Sequence, residues 1–207
     1  MKENEIQDEL ASIRSLMERS SKFISLSGLS GILAGVYALI GAGVAYNLLN
    51  YNIRDFWFSG KYSFVGDLEI VALFSIAMAV LVASLVTGFI LSYRKAQLKG
   101  QPIWGAASKA LLFNTSVPLI TGGLLLLVLI FRGYYGIVCP LSLVFYGLAL
   151  ISASNFTFSD VRYLGILEIL LGLIAACMPG YGLLFWAIGF GVLHIIYGSV
   201  MYFKYDR

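Results

Sequence analysis

Hydrophobic side chains run along this chain in six long, nearly unbroken stretches, at about 24–49, 67–93, 108–131, 137–154, 163–180 and 182–203, with short polar links between them. Runs of this length predict helices that cross a bilayer, because a hydrocarbon core about 30 Å thick takes roughly 20 apolar residues. Barrel strands would alternate apolar and polar positions over about 10 residues, and these runs are continuously apolar. In lipid the backbone must satisfy its own hydrogen bonds, which a helix does within each segment. The expected fold is all-α: a polytopic membrane protein whose residues 23–207 form six transmembrane helices arranged as three hairpins. A cytoplasmic amphipathic helix is expected over residues 1–22, where Ile6, Leu10, Ile13 and Met17 recur at four- and three-residue steps and give one apolar face.

Composition agrees with this pattern. The chain is 59% apolar and 12% charged, about half the charged share of an ordinary soluble domain. Its net charge of +3 is too small, and its basic residues too dispersed, to argue for nucleic acid. The leading segment mixes acidic and basic residues instead of showing a short basic stretch and a cleavable apolar core, so it does not read as a secretory signal. Basic residues set the orientation. With both termini inside, all of the 14 Lys and Arg residues fall on the cytoplasmic side except Arg54, Lys61 and Arg132. The chain is therefore expected in a bacterial plasma membrane, multi-pass, with both termini cytoplasmic and the bilayer as its surroundings.

The links differ. Residues 50–66 make the longest outer link and carry Tyr51, Phe56, Trp57, Phe58, Tyr62 and Phe64, as expected of a loop resting on the interface. The inner link 94–109 is basic and faces anionic headgroups. A weak repeat is visible in the turns Arg132-Gly133-Tyr134-Tyr135-Gly136 and Pro179-Gly180-Tyr181-Gly182 and in the later Phe145-Tyr146-Gly147 and Ile196-Tyr197-Gly198. Hairpin repeats all run the same way across the membrane, so this pattern offers no inverted symmetry and little support for alternating access. Over 163–203, and more loosely 118–154, the stretch Gly165-Ile166-Leu167 to Gly172-Leu173-Ile174, with Pro179-Gly180 and Tyr197-Gly198, resembles the two-helix repeat of HdeD-type bacterial membrane proteins. That resemblance implies a small six-span inner-membrane protein, in one branch linked to acid resistance, with no agreed catalytic residues.

Candidate chemistry is sparse. Glu168 and His194 are ionisable groups stranded inside apolar runs, and an intramembrane ionisable residue is a functional hypothesis by default. Both belong to the last hairpin and to its cytoplasmic half, at depths where Tyr197 and Asn114 also fall, so the four define a candidate polar pocket. Either a structural clamp between helices or a proton or ion site fits these residue types. Ser27, Gly31 and Gly35 stand at four-residue steps on the first span and suit close helix packing, within the bundle or between copies of the chain. The leading helix is a second route to a homo-oligomer. Cys139 and Cys177 both fall near the outer ends of their spans, where a disulfide or two separate thiols are open.

An enzyme is not expected. Gly28-Leu29-Ser30-Gly31 with His194 resembles a rhomboid serine–histidine dyad, but the other signatures are missing. One histidine and two cysteines give no cluster for a metal, and no cofactor motif appears. The expected role is structural or stress-related and non-enzymatic. The alternative is a small proton- or ion-coupled transporter or channel built around Glu168 and His194, with an intramembrane serine protease a distant third.

Overall fold

The structure, a computed structural model, describes residues 27–49, 67–98, 100 and 104–206. The amphipathic helix expected over 1–22 and the aromatic link 50–66 lie outside the described residues. Six long helices account for the rest: α1 (Gly28–Leu49), α2 (Asp67–Leu98), α3 (Ala106–Phe131), α4 (Val138–Ser154), α5 (Asp160–Cys177) and α6 (Gly182–Asp206). No strand occurs among the described residues. Gly133 (φ 82°) and Gly180 (φ 96°) make the turns after α3 and α5, where a left-handed backbone excludes most side chains. α2 runs to Leu98, past the expected end of its apolar run near 93. Arg94 and Lys95 thus ride its last turns, where basic side chains are good helix formers and favour the negative end of the helix dipole.

Five of these helices are long and apolar enough to cross a membrane. α5 is not among them, because its 18 residues include Asp160, Arg162 and Glu168. The most apolar stretch of α2 has no buried residue and that of α3 almost none. Val71, Phe74, Leu81, Leu85 and Phe89 on α2 are all exposed. Such an apolar surface is costly in water and at home in hydrocarbon.

The helices form a row, α2–α1–α6–α5–α4–α3, in which each packs antiparallel on the next, and α6 also packs on α4. Within the row the tight contacts are made by glycine. Gly165 of α5 and Gly147 of α4 face each other so closely that a Cβ on either would stand 2.6–2.7 Å from the other's carbonyl oxygen. Gly172 meets the Pro140 carbonyl in the same way. On the other side of the row, Gly35 of α1 lies on the Gly191 carbonyl and Ile195 of α6, Gly31 lies on Gly198, and Gly28 on Gly198 and Tyr202. Small residues let the backbones approach to where dispersion and weak C–H···O contacts hold two helices in lipid. The glycine face of α1 is thus filled by α6 of the same chain.

One end of the bundle is tied by polar groups. The Asp206 carboxylate accepts hydrogen bonds from the backbone N–H of Gly28 (2.7 Å) and the hydroxyl of Ser27 (3.2 Å), and it pairs with Lys95 of α2. It caps the first turn of α1 from the far end of the chain, as an acceptor at a helix N-terminus should. Alongside, Lys204 and Tyr205 donate to Asp160 (2.9 and 2.8 Å), and the Tyr205 ring stacks on Phe158 with centroids 4.1 Å apart. The Lys204 hydrogen bond holds the Asp160 carboxyl below its ordinary value.

Two outcomes follow from this packing. Gly165→Val should lower stability by about 1–3 kcal/mol or prevent folding, whereas Gly123→Val, where a Cβ meets nothing within 4 Å, should be near neutral in a detergent melt. For Asp160, a depressed carboxyl contributes stability that is complete above its unfolded value near 4 and fades as pH falls through its lower folded value. A melt of wild type against Asp160→Asn should show a gap that closes as the pH falls below about 4.

Candidate functional site

Among the described residues, one carboxylate is buried completely. Glu168 sits in the middle of α5 at 0% exposure, between Leu143 and Tyr146 of α4 and the Gly189–His194 stretch of α6. Gly189 is required there, since a Cβ at that position would stand 2.5 Å from Glu168 Oε2. α6 departs from α-helical geometry beside it, widening into a π pattern over Ala187–Leu193 and returning to α-helix at His194. Short π segments inside α-helices are frequent at functional sites.

His194 is fixed at both nitrogens. Nδ1 lies 3.0 Å from the Gly189 carbonyl, and Nε2 lies 2.7 Å from the Tyr146 hydroxyl. A carbonyl oxygen only accepts, so Nδ1 carries the hydrogen. In the neutral ring Nε2 is then the acceptor, and Tyr146 donates. Tyr146, Phe190 and His194 also form an aromatic cluster with ring centroids 5.0–6.0 Å apart. This histidine joins α4 to α6 with its hydrogen-bonding capacity used.

Glu168 is held differently. Its Oε1 is 3.5 Å from His194 Nδ1, too long for a direct hydrogen bond, and the Nδ1 hydrogen is committed to Gly189. Neither carboxyl oxygen has a hydrogen-bond partner among the described residues. Buried polar atoms in folded proteins are almost always paired, so two orphaned oxygens on one fully buried carboxyl stand out.

The expected pocket is only partly assembled. Glu168 and His194 do meet. Tyr197 has a buried hydroxyl with no hydrogen-bond partner and lies near enough to Tyr146 to act on it electrostatically. Asn114 stays apart. Its side chain donates to the Ala110 carbonyl (2.8 Å), one turn back on its own helix, and α3 packs on α4 rather than on α5 or α6. Equal depth in the membrane placed Asn114 in the pocket, but the row of helices puts α4 between them.

Tyr146 takes the role expected of Tyr197. In the sequence it stands out only in the repeat motif Phe145-Tyr146-Gly147; its place near the middle of the 137–154 run is the signal that could have found it. The Ser30–His194 pairing does not form, since Ser30 Oγ donates to the Ser27 carbonyl (2.6 Å). Ser27 turns to Asp206, while Gly31 and Gly35 make the helix contact. Cys139 and Cys177 are free thiols, with Cys139 against Gly182. Among the described residues no group of His, Cys, Asp and Glu is arranged to hold a metal.

Compared with known proteins, the chain matches no family model, no characterised sequence and no solved structure.

The hydrogen bond from Tyr146 is open to test. Tyr146→Phe removes one partner and leaves His194 Nε2 buried and unsatisfied, which costs about 1–3 kcal/mol. The detergent melt should fall accordingly, and Tyr197→Phe, which removes a hydroxyl without a hydrogen-bond partner, should fall less or rise.

Proposed function

We propose that this chain is a six-span protein of a bacterial plasma membrane, with both termini cytoplasmic, in which Glu168 is the proton-binding group of a small proton-coupled transporter. The observation that carries this reading is the complete burial of Glu168 with both oxygens lacking hydrogen-bond partners. A carboxyl kept for structure would spend its oxygens on hydrogen bonds, as His194 spends both nitrogens. Even a paired buried charge is often no more stabilising than well-packed apolar residues of similar volume, and an unpaired one costs the fold, so an unpaired carboxyl gains it little. Among the described residues no lysine or arginine neutralises it. The titratable groups facing it are Tyr146 from α4 and His194 from α6, with Tyr197 beyond them.

The chemistry is a single proton transfer. A hydronium ion reaching Glu168 gives its proton to the carboxylate and leaves water, and the neutral acid is then tolerable in the apolar contact. When water reaches the acid again, the proton passes to it and the carboxylate is restored. His194, anchored by Gly189 and Tyr146, orders the wall of the site. α5 serves as the sixth span, and the charges that set it apart are those of the site and of its inner end. The resemblance of 163–203 to the HdeD-type repeat, one branch of which is linked to acid resistance, supports a setting in which proton handling matters.

A second reading rests on the dryness of the same site. Glycine and leucine enclose Glu168, and a neutral carboxyl there acts only as part of a helix clamp worth about 1 kcal/mol or less, in a structural protein without flux. Glu168→Gln decides between them. Under the transport reading, proteoliposomes carrying Glu168→Gln lose pH-driven proton flux at least tenfold while the detergent melt stays near wild type. A lowered melt with no flux in wild type or variant would establish the clamp.

A further inference from the structure

The two glycine interfaces of the bundle are the same interface used twice in opposite directions. A Cβ on Gly35 of α1 would meet the Gly191 carbonyl at 2.6 Å, Ile195 Cγ1 at 2.7 Å and Ile195 N at 3.0 Å. A Cβ on Gly147 of α4 would meet the Gly165 carbonyl at 2.6 Å, Ile169 Cγ1 at 2.7 Å and Ile169 N at 3.0 Å. The same register holds further along. Gly198 lies on Gly28, Gly31 and Ile32, as Gly172 lies on Pro140, Leu143 and Val144. Ser30 Oγ donates to the Ser27 carbonyl at 2.6 Å, and Ser142 Oγ to the Cys139 carbonyl at 2.7 Å.

α1 therefore corresponds to α4, and α6 to α5. Each pair of equivalents runs antiparallel, so the relation is a two-fold rotation about an axis lying across the helices, with α2 and α3 as the outer members of the row. In the sequence the correspondence reads Gly165-Ile166-Leu167-Glu168-Ile169-Leu170-Leu171-Gly172 against Gly191-Val192-Leu193-His194-Ile195-Ile196-Tyr197-Gly198. Glu168 and His194 are equivalent positions, and they meet 3.5 Å apart where the axis passes between α5 and α6. The symmetry is broken there: α6 is widened into a π pattern beside the site, while α5 is a regular α-helix.

We propose that the halves α2–α1–α6 and α5–α4–α3 rock against each other about the Glu168–His194 contact and expose Glu168 to the two faces of the membrane in turn. Inverted halves have two ways of leaning, related by the same two-fold axis, which a symmetric bundle accepts at similar free energy. Between the halves, α5 touches α6 chiefly around Glu168, Leu171, Gly189 and His194, and α4 reaches α6 at the same level through Tyr146 on His194 and Leu143 on Gly189, while the glycine interfaces within each half leave no slack. The Asp160–Lys204 and Phe158–Tyr205 contacts close one end, and Gly182 against Cys139 closes the other. This inference rests on Glu168 being the proton site, and it adds the motion that delivers the proton.

The test measures distances, not flux. In a Cys139→Ser, Cys177→Ser background, spin labels replace the exposed Leu98 and Tyr163 at one end and the exposed Leu68 and Phe131 at the other. Each pair spans the two halves. Distances are read in lipid nanodiscs at about pH 8 and about pH 5. One pair should lengthen while the other shortens, and Glu168→Gln should hold each at a single value at both pH values. Distances that stay fixed at both ends, or move in the same sense, overturn the rocking. If Glu168→Gln abolishes flux while wild-type distances stay fixed, the proton site stands and the motion falls. If the distances move in opposition with no flux in wild type, the motion stands and the transport reading falls.

Discussion

Backbone touching backbone is the constraint on which this bundle depends. In hydrocarbon no hydrophobic drive separates helix from helix, because the lipid tails are as apolar as leucine. Association then comes from how many atoms reach van der Waals distance, and that is greatest where side chains vanish. Gly147 against Gly165, and Gly35 against Gly191, bring main chains so close that a single methyl group would collide with a carbonyl oxygen. The rest follows from these contacts. They fix which helices are neighbours, they set the antiparallel register, and they leave α2 and α3 outermost with their large apolar side chains exposed.

The same contacts decide what surrounds the buried carboxyl. Because α4 and α5 meet at glycine, Glu168 has no room to turn toward water along that face. Because Gly189 lacks a side chain, α6 comes to rest against Oε2. The glycine pattern thus creates both the stability of the bundle and the isolation of its most costly group. The neighbouring π segment shows that α6 does not run as a regular helix past it.

Much of the architecture was legible in the chain, for a physical reason. Helices in lipid must be long and apolar, so the runs announced α1, α2, α3, α4 and α6 within a few residues, and α5 was visible despite Asp160, Arg162 and Glu168. The meeting of Glu168 with His194 followed from their shared hairpin. What stayed hidden was which helix neighbours which. Membrane depth can be counted along a sequence, but lateral position cannot, and this is why Asn114 was grouped with a site from which α4 separates it. The inverted relation escaped for a related reason. Its sequence trace, Gly-x-Leu-x-Ile-x-x-Gly around Glu168 and again around His194, is short and made of common membrane residues. Reading hairpins as the repeating unit concealed that α1 answers to α4, and α6 to α5. The role of Asp206 had no signal at all, since nothing along a chain shows that an acid near one end will cap a helix that begins at Gly28.

The pairing of α1 with α6 carries a consequence for assembly. The four helices between them are made before α6 exists, and during that interval the glycine face of α1 has no α6 against it. The α4–α5 contact, between neighbours joined by a short turn, can close at once. In a chain made from its N-terminus, the α4–α5 contact can therefore close before the α1–α6 contact. An interface that waits for the last helix is also the one that the α6 of a second copy would find unfilled.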